Sequence, residues 1–282
     1  MSQRRSPREA YEPATWRLLN TGAQDGPTNM AIDEAILEAI AAGESQPTLR
    51  FYGWQPACLS LGFAQPWDDA DLDRCAQLGW DVVRRPTGGR AILHIDELTY
   101  SVCAPESNPR VHGGVLESYQ RLSEALLAGL RLMGLDPAKA KPYYEDRGEP
   151  GPACFDGPSN YEITIGQRKL VGSAQMRRKG VVLQHGTLPL HGDITRIAQG
   201  LAVDMPGQRL AIVNRLQYRA TTLEASLARQ VAFDEAAELL RQGFATALNL
   251  TLETGTLTPA ETNRAAALRA EKYANESWTT RL

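Results

Sequence analysis

One of the four cysteines stands in a setting that suits a reactive thiol. Cys154 lies in the segment ACFDGPS (153–159), at the end of a stretch rich in proline and glycine. Such a stretch predicts a turning, partly exposed loop, and a nucleophilic thiol needs that exposure. Cys58, Cys75 and Cys103 fall in or beside apolar patterns, where a cysteine is usually a small buried hydrophobe. None of the four forms a Cys-x-x-Cys pair, so neither a zinc site nor a disulfide framework is expected.

Lys169 follows Cys154 by fifteen positions and lies in a predicted β-hairpin. Gly166-Gln167 is expected to form a two-residue type II′ turn, which pairs Thr164 with Lys169. The loop with Cys154 then enters beside the strand that carries Lys169. An ammonium close to a thiol favours the thiolate form. A lysine in a strand ordinarily faces solvent, so we expect removal of Lys169 to leave the fold largely intact.

Two further segments offer places for a substrate against the backbone. In RRPTGGRA (84–91) a glycine pair follows a predicted strand, which supplies free backbone N–H groups, although the segment could equally be only a turn. It lacks the Gly-Lys-Ser/Thr of a Walker loop. The run LVGSAQ (170–175) contains small residues that allow a ligand to approach the chain closely. His94 and His185 lie near these segments, and each could bind substrate or be a hydrogen-bonded structural residue.

Several classes of protein are disfavoured by composition and by missing motifs. The chain has no His-Glu-x-x-His and no Gly-x-Ser-x-Gly nucleophile elbow, and no metal is expected. A formal net charge of -3 gives no general attraction to nucleic acid or anionic membrane. No apolar run approaches the roughly 18 residues that span a bilayer. The basic N-terminus lacks the apolar stretch of a signal peptide, so we expect a cytoplasmic enzyme with reduced thiols.

Hydrophobic periodicity predicts the elements that must position these residues. The clearest helix covers 115–133, with Leu122, Leu126 and Leu130 on one face and Gly134 at its end. A helix over 29–42 is expected with Thr28 as its N-cap. Further strands are expected at 49–54, 58–63, 80–85, 98–103, 161–165, 168–176 and 181–188, and further helices at 67–78, 235–248 and 259–273. The stretch 136–160 is predicted to be one long loop, and such loops are more often functional than idle.

These elements also predict the fold class and the domain organisation. Strands and helices mix without strict β-α-β alternation, which favours an α+β fold over a doubly wound sheet. Residues 1–14 are polar and contain proline, and we expect them to form a flexible N-terminal arm. At 282 residues the chain does not require a second domain.

Four segments together resemble the superfamily of lipoate–protein ligases, octanoyltransferases and biotin–protein ligases. They are NMAIDE (29–34), RRPTGG (84–89), KLVGSAQ (169–175) and LQHGTL (183–188), and Lys272-Tyr273 followed by Trp278 resembles the closing segment of the family. The resemblance implies the catalytic-domain fold of these ligases, a mixed, mostly antiparallel sheet flanked by helices. It also implies a single catalytic domain over 15–282 with a helical C-terminal segment.

Cys154 in its loop before the lysine strand is similar to the nucleophile of cysteine-dependent, Gram-positive-type octanoyltransferases. The resemblance implies an acyltransferase of lipoate biosynthesis that moves octanoyl from acyl carrier protein to a lysine of a lipoyl domain, such as glycine cleavage H protein. Because the donor is itself a thioester, neither ATP nor another cofactor is expected. Three alternatives stay open: an ATP-dependent lipoate–protein ligase, an enzyme that moves octanoyl between lipoyl domains, and a non-catalytic binding homologue.

The same resemblance implies the residues of the site. Cys154 and Lys169 are the expected catalytic residues. The expected substrate-binding residues are Arg85, Thr87, Gly88, Gly89, His94, Gly172, Ser173, Ala174, His185 and Gly186. Lys169, His185 and water all stay open as the base for the incoming lysine. The identity of the acceptor, the acyl chain length and the oligomeric state do not follow from the sequence.

Overall fold

The computed structural model describes residues 11–139, 153, 162–203 and 205–282. In these residues the strands are β1 (Ala14–Gln24), β2 (Thr48–Trp54), β3 (Cys58–Leu61), β4 (Asp81–Arg84), β5 (Ile92–His94), β6 (Glu97–Pro105), β7 (Pro137–Lys139), β8 (Ile163–Ile165), β9 (Arg168–Arg178), β10 (Val181–Pro189) and β11 (Leu250–Thr254). The helices are α1 (Gly26–Ala41), α2 (Leu72–Gln77), α3 (Val115–Leu132), α4 (Pro206–Arg219), α5 (Leu223–Leu227), α6 (Phe233–Leu248), α7 (Pro259–Leu268) and α8 (Glu276–Thr279). No helix in the described ranges is long and apolar enough to cross a membrane.

The described strands form one large sheet and one small sheet. The large sheet has the order β11-β1-β2-β6-β10-β9-β8-β7, and the small sheet has the order β4-β3-β5. In the large sheet β1 runs parallel to β11 and β2, and the other neighbours are antiparallel. The α+β prediction of a mixed, mostly antiparallel sheet flanked by helices is therefore confirmed.

Alternate residues of the central strand β6 face two different layers, as the period of a strand requires. Leu98, Tyr100 and Val102 join the core that includes residues of α3 and α6. Cys103 joins the core of α1 on the opposite face, where Ser101 Oγ also donates to Asp33 Oδ1 at 2.8 Å. The small sheet has its own apolar core, to which α4 and the 3-10 helix Ile194–Gln199 contribute residues. The polar members of β6 thus face α1 and the small sheet, and that face holds the candidate site.

The predicted hairpin is confirmed in register. Thr164 pairs with Lys169, and Ile165 pairs with Arg168 across the turn. Gly166 has a φ of 60°, which is the left-handed conformation that the first position of a type II′ turn requires. The turn therefore fixes the position of Lys169 relative to β8.

Near the N-terminus one strand was missed and one helix cap was predicted wrongly. Strand β1 begins at the end of the predicted arm, and periodicity did not indicate it because its apolar residues are few and its partner strands β2 and β11 depend on the tertiary fold. Helix α1 is capped by Asp25, whose Oδ1 accepts from Thr28 N at 2.7 Å, and not by Thr28. Asp25 is the better N-cap because the helix then begins with Pro27 in its first turn, where no hydrogen bond requires the N–H that proline lacks. Residues 1–10 of the predicted arm lie outside the described residues.

Candidate active site

A cavity lies between the large sheet, α1 and the small sheet, and is called the acyl cavity below after the group that the resemblance implies. It is lined by Met30, Tyr52, Trp54, Arg85, Ile92, His94, Thr99, Gly172, Ala174, His185, Gly186 and Thr187. The exposed surface of the cavity is mostly apolar, and its polar side chains come from five places in the chain: β2, the loop after β4, β5, β6 and β10. A mostly apolar cavity with a few fixed polar groups is the usual form of a small-molecule site.

The sheet register explains why small residues line the floor of this cavity. Gly172 on β9 pairs with Thr187 on β10, and Thr187 pairs with Thr99 on β6. A Cβ on Gly186 would lie 2.4 Å from Ser173 Oγ and 2.7 Å from Tyr100 Cε1. These contacts exclude any larger residue at 186 unless its neighbours shift. Ser173 itself bonds to Tyr100 OH at 2.8 Å and does not line the cavity.

His185 belongs to a buried chain of hydrogen bonds on the α1 side of the acyl cavity. Its Nδ1 lies 3.3 Å from Asp33 Oδ2, and its Nε2 lies 2.6 Å from Thr87 Oγ1. Burial lowers the pKa of His185, although the hydrogen bond and charge of Asp33 oppose that change. Burial alone would raise the pKa of Asp33, but the charge of Arg50 and the bonds from His185 and Arg50 hold it below its ordinary value. A neutral imidazole therefore joins a carboxylate to the loop at Thr87.

His94 belongs to a second such chain on the side of the small sheet. Its Nδ1 lies 2.8 Å from Glu97 Oε1, and its Nε2 lies 2.8 Å from Ser60 Oγ. The ring stacks on Trp54 with a centroid distance of 4.0 Å and an interplanar angle of 13°. Trp54 Nε1 in turn donates to Thr99 Oγ1 at 2.8 Å. Both ring nitrogens of His94 are thus engaged.

The glycine-pair segment is held against the small sheet by two buried arginines. Arg85 Nη2 donates to the carbonyl oxygens of Gly88 and Arg90 at 2.7 and 2.8 Å. Arg84 Nη1 donates to Gly62 O at 2.8 Å, and a Cβ on Gly62 would lie 1.9 Å from Gly89 O. Gly88 and Gly89 pack backbone against backbone and do not line the acyl cavity. Their role in this part of the chain is to shape the loop that carries Thr87.

Arg84 also joins this loop to the C-terminal segment. Its Nε and Nη2 donate to Thr279 O at 2.9 and 2.7 Å, and Trp278 Nε1 donates to Arg84 O at 2.9 Å. Lys272 Nζ lies 4.2 Å from the centroid of the Trp278 ring. The closing segment indicated by the sequence therefore packs on the strand that precedes the binding loop.

Lys169 is buried, with 4% of its surface exposed, and does not face solvent. Its Nζ forms a short ion pair with Glu162 Oε1, and its backbone carbonyl accepts from Thr221 N at 3.0 Å. The expectation of a solvent-facing strand lysine was wrong, because β8 and the segment after α4 cover this end of β9.

Cys154 lies outside the described residues, as do 140–152 and 155–160 of the predicted loop. Its neighbour Ala153 is described. Ala153 is buried, forms a parallel bridge with Ala91 and lines a second cavity, called the side cavity below. Ile92 and Thr187 line both the side cavity and the acyl cavity. Ala153 is therefore held at a cavity that adjoins the acyl cavity.

Six of the ten predicted binding residues come together in the lining of the acyl cavity: Arg85, His94, Gly172, Ala174, His185 and Gly186. Thr87 supports His185, and Ser173 bonds to Tyr100. Gly88 and Gly89 are exposed and do not line the acyl cavity. No role was predicted for Trp54, Glu97, Thr99 or Thr187, which also contribute to the lining or to its hydrogen bonds. No group of three or more His, Cys, Asp and Glu side chains that could hold a metal occurs within the described ranges.

Comparison with known proteins identifies the family of this site. Residues 25–245 match the family model of the lipoyl protein ligase A/B catalytic domain. The chain belongs to this family. The matched range contains the whole lining of the acyl cavity.

Relatives within the family define the type of reaction. The chain is 46% identical over 271 residues to octanoyltransferase LipM of Moorella thermoacetica, covering 95% of this chain and 98% of the relative. It is 44% identical over 273 residues to octanoyltransferase LipM of Symbiobacterium thermophilum, covering 94% and 98%. This chain is therefore an acyltransferase, and the prediction of an octanoyltransferase of lipoate biosynthesis is confirmed.

The fold agrees with a solved structure of the family. A bi-partite lipoate protein ligase from Thermoplasma acidophilum superposes with a TM-score of 0.81 at 26% identity, covering 95% of this chain and 97% of that one. The predicted ligase-type catalytic fold is therefore confirmed. This chain and the Thermoplasma acidophilum ligase share one architecture across almost the whole of each chain.

Proposed function

We propose that this octanoyltransferase takes octanoyl from acyl carrier protein, holds it as a thioester on Cys154 and passes it to a lysine of a lipoyl domain, such as glycine cleavage H protein. The acceptor is a protein, and the reaction takes place in the cytoplasm. One observation supports this proposal above the others. Ala153, the residue before Cys154, is held at the side cavity, which adjoins the apolar acyl cavity.

Covalent geometry connects that observation to the chemistry. Consecutive Cα atoms are about 3.8 Å apart, so the chain continues to Cys154 directly from the wall of the side cavity. An acyl chain bound between the large sheet and α1 would present its carbonyl toward Ile92 and Thr187, the two residues that both cavities share. Covalent geometry keeps the Cα of Cys154 about 3.8 Å from that of Ala153, which lines the side cavity next to these two residues.

The first half-reaction is a thioester exchange. The Cys154 thiolate attacks the carbonyl carbon of the donor, a new C–S bond forms, and the C–S bond to the carrier breaks with release of the carrier thiol. The exchange is close to balanced in energy, so no ATP is required. Lys169 supports the thiolate electrostatically, with Glu162 beside it as a counter-charge.

The second half-reaction makes an amide. The lysine of the acceptor has an ordinary pKa of about 10.4 and must lose a proton before its nitrogen can attack. The C–N bond then forms, the C–S bond breaks, and the thiol of Cys154 is regenerated.

An ATP-dependent lipoate ligase is the second candidate, because the similar Thermoplasma acidophilum structure is a lipoate protein ligase. In that reaction the acyl group is activated as an adenylate, and no enzyme thioester is needed. Transfer of octanoyl between two lipoyl domains is a third reading, which differs from the proposal only in the donor.

Intact mass measurement separates these candidates. We expect incubation with octanoyl carrier protein, without ATP, to add one octanoyl group that neutral hydroxylamine removes. Cys154→Ala should carry no adduct and transfer nothing, and Cys75→Ala serves as the matched control because Cys75 is buried on α2. A Cys154→Ala protein that transfers at the normal rate, or activity that requires ATP and free acid, would contradict the thioester route. Loading from an octanoylated lipoyl domain but not from carrier protein would establish the third reading.

A further inference from the structure

The buried side chain of Glu97 lies at the border of two neighbouring cavities. Beyond the acyl and side cavities, a third space lies beside β1, β2 and the start of α6, and is called the outer cleft. Ile95, Glu97 and His191 line both the outer cleft and the side cavity. Since the side cavity also shares Ile92 and Thr187 with the acyl cavity, the three spaces adjoin in series, and this series is called the path below.

The carboxylate of Glu97 is held by three donors and keeps room for a fourth. Oε1 accepts from His94 Nδ1 at 2.8 Å and, by a short bond, from Thr99 Oγ1. Oε2 accepts a short bond from Thr187 Oγ1. An ionised carboxylate offers about four acceptor positions, two on each oxygen. One position on Oε2 is left for a group that arrives along the cavities.

The other nearby bases are engaged. His94 uses its nitrogens for Glu97 and Ser60, and His185 uses its nitrogens for Asp33 and Thr87. The ammonium of Lys169 is paired with Glu162 and does not line the acyl cavity, the side cavity or the outer cleft. Among these groups, Glu97 lies on the path and also has a hydrogen-bond acceptor position on Oε2 that the described contacts do not fill.

We propose that Glu97 binds the ammonium of the acceptor lysine and takes its proton before the attack. This inference rests on the proposed function, in which a lysine resolves an acyl-thioester. The ammonium transfers one proton to Glu97 Oε2, and the neutral amine forms the C–N bond. The C–S bond breaks, the second amine proton goes to the leaving sulfur, and Glu97 returns its proton to water through the outer cleft.

Several titratable groups lie around Glu97. His94 on β5 contacts it directly. The charge of Glu97 acts on Tyr52 and Cys58, whose pKa is raised well above the ordinary value, mainly by burial. His191, Asp193 and Arg196 line the side cavity. The test must therefore separate proton transfer from a general electrostatic change.

Single-turnover reactions of the purified octanoyl-enzyme make that separation. Glu97→Gln keeps the size of the side chain but cannot act as a carboxylate base. We expect it to load normally from octanoyl carrier protein, and to lose at least about 100-fold in transfer to the lipoyl-domain lysine, as for a lost general base. Release by hydroxylamine should be unchanged, because that amine is uncharged at neutral pH and needs no base. Asp73→Asn, which removes an exposed carboxylate on α2, should be normal in all three steps.

The outcomes distinguish this inference from the proposed function. A wild-type enzyme that never loads contradicts the thioester route, whatever Glu97 does. Equal losses for lysine and hydroxylamine in Glu97→Gln, or no loss for either, would overturn the role of Glu97.

If Glu97→Gln does not fold, Thr187→Val provides the second test. It removes a hydrogen bond to the charged form of Glu97, so the acidic limb of the pH profile for lysine transfer should move to higher pH. An unmoved profile would overturn the inference as well.

Discussion

The ammonium of Lys169 and the carboxylate of Glu162 form an ion pair in which both side chains are buried. Glu162 precedes β8 and Lys169 lies on β9, so the pair joins the two strands of the hairpin. The positive charge that the proposed mechanism assigns to Lys169 is therefore partly balanced before any substrate arrives. Removing the charge of Lys169 and removing the charge of Glu162 should therefore have opposite effects on a nearby thiol.

The first prediction concerns the reactivity of Cys154. Lys169→Met should shift its alkylation by iodoacetamide to higher pH, because a cation that favours the thiolate is lost. Glu162→Gln should shift it to lower pH, because the counter-charge of that cation is lost. The measurement is the pH dependence of labelling at the peptide that contains residue 154.

The other cysteines provide the background for this measurement. Burial raises the pKa of Cys58 and Cys103 well above the ordinary range and raises that of Cys75 to about 11. Labelling near neutral pH should therefore vanish in Cys154→Ala. Identical curves for wild type and both variants would show that the pair does not influence the thiol.

The second prediction corrects the expectation that Lys169 is dispensable for folding. Lys169→Met leaves the Glu162 carboxylate buried without this cation, which should cost about 3–5 kcal/mol of unfolding free energy. The double change Lys169→Met with Glu162→Leu should recover most of that loss. Urea unfolding measures the unfolding free energy of the single and the double variant. A Lys169→Met protein as stable as wild type would contradict the prediction.

The third prediction is a dependence of stability on pH that comes from His185. Burial depresses its native pKa below 6.5, so the unfolded chain gains a proton that the native protein does not as pH falls below 6.5. The stabilisation that comes from keeping His185 neutral is complete above pH 6.5. As the pH falls below 6.5, the free energy of unfolding decreases by at most about 1.4 kcal/mol per pH unit from this residue. Asp33, with a lowered pKa, stays ionised in this range. Urea unfolding at pH 7.5, 6.5 and 5.5 should show a shallower slope for His185→Gln than for wild type. Equal slopes would exclude His185 as the source.

The fourth prediction concerns the arginine beneath the binding loop. Arg84 is fully buried and donates to the carbonyl oxygens of Gly62 and Thr279. Lysine keeps the charge but not the planar set of donors, so Arg84→Lys should lose bonds worth about 3 kcal/mol in total. Arg74→Lys on the surface of α2 is the matched control and should unfold like wild type. Equal stability of the two variants would count against the role of Arg84 as an anchor.

Periodicity and turn chemistry predicted those parts of the fold that are determined locally. The hairpin at Gly166-Gln167 was predicted in its register because a two-residue turn fixes the pairing on both sides. The helix at α3 was predicted because its apolar face repeats over five turns. Strand β1 was missed because its stability depends on β2 and β11, which lie far away in the sequence.

The site was predictable where a residue type alone signals it. Glycines and histidines in the motifs indicated much of the cavity wall, such as Gly172, His94 and His185. The partners of these histidines were not predicted. Asp33 interrupts the apolar stripe of α1, and Glu97 begins a strand that has no other charged residue, and both are signals of buried charge. Which histidine each carboxylate contacts depends on the packing of separate sheets, and that information is not local.

The acyl cavity is flanked by two hydroxyl–imidazole–carboxylate chains, Ser60–His94–Glu97 and Thr87–His185–Asp33. Each has the order of groups found in a serine hydrolase triad. Both hydroxyls are completely enclosed, however, and an electrophile cannot reach them from the cavity. Fluorophosphonate reagents, which report active serine hydrolases in cell extracts, should therefore pass over this enzyme, and covalent inhibitors for it would have to be thiol-directed.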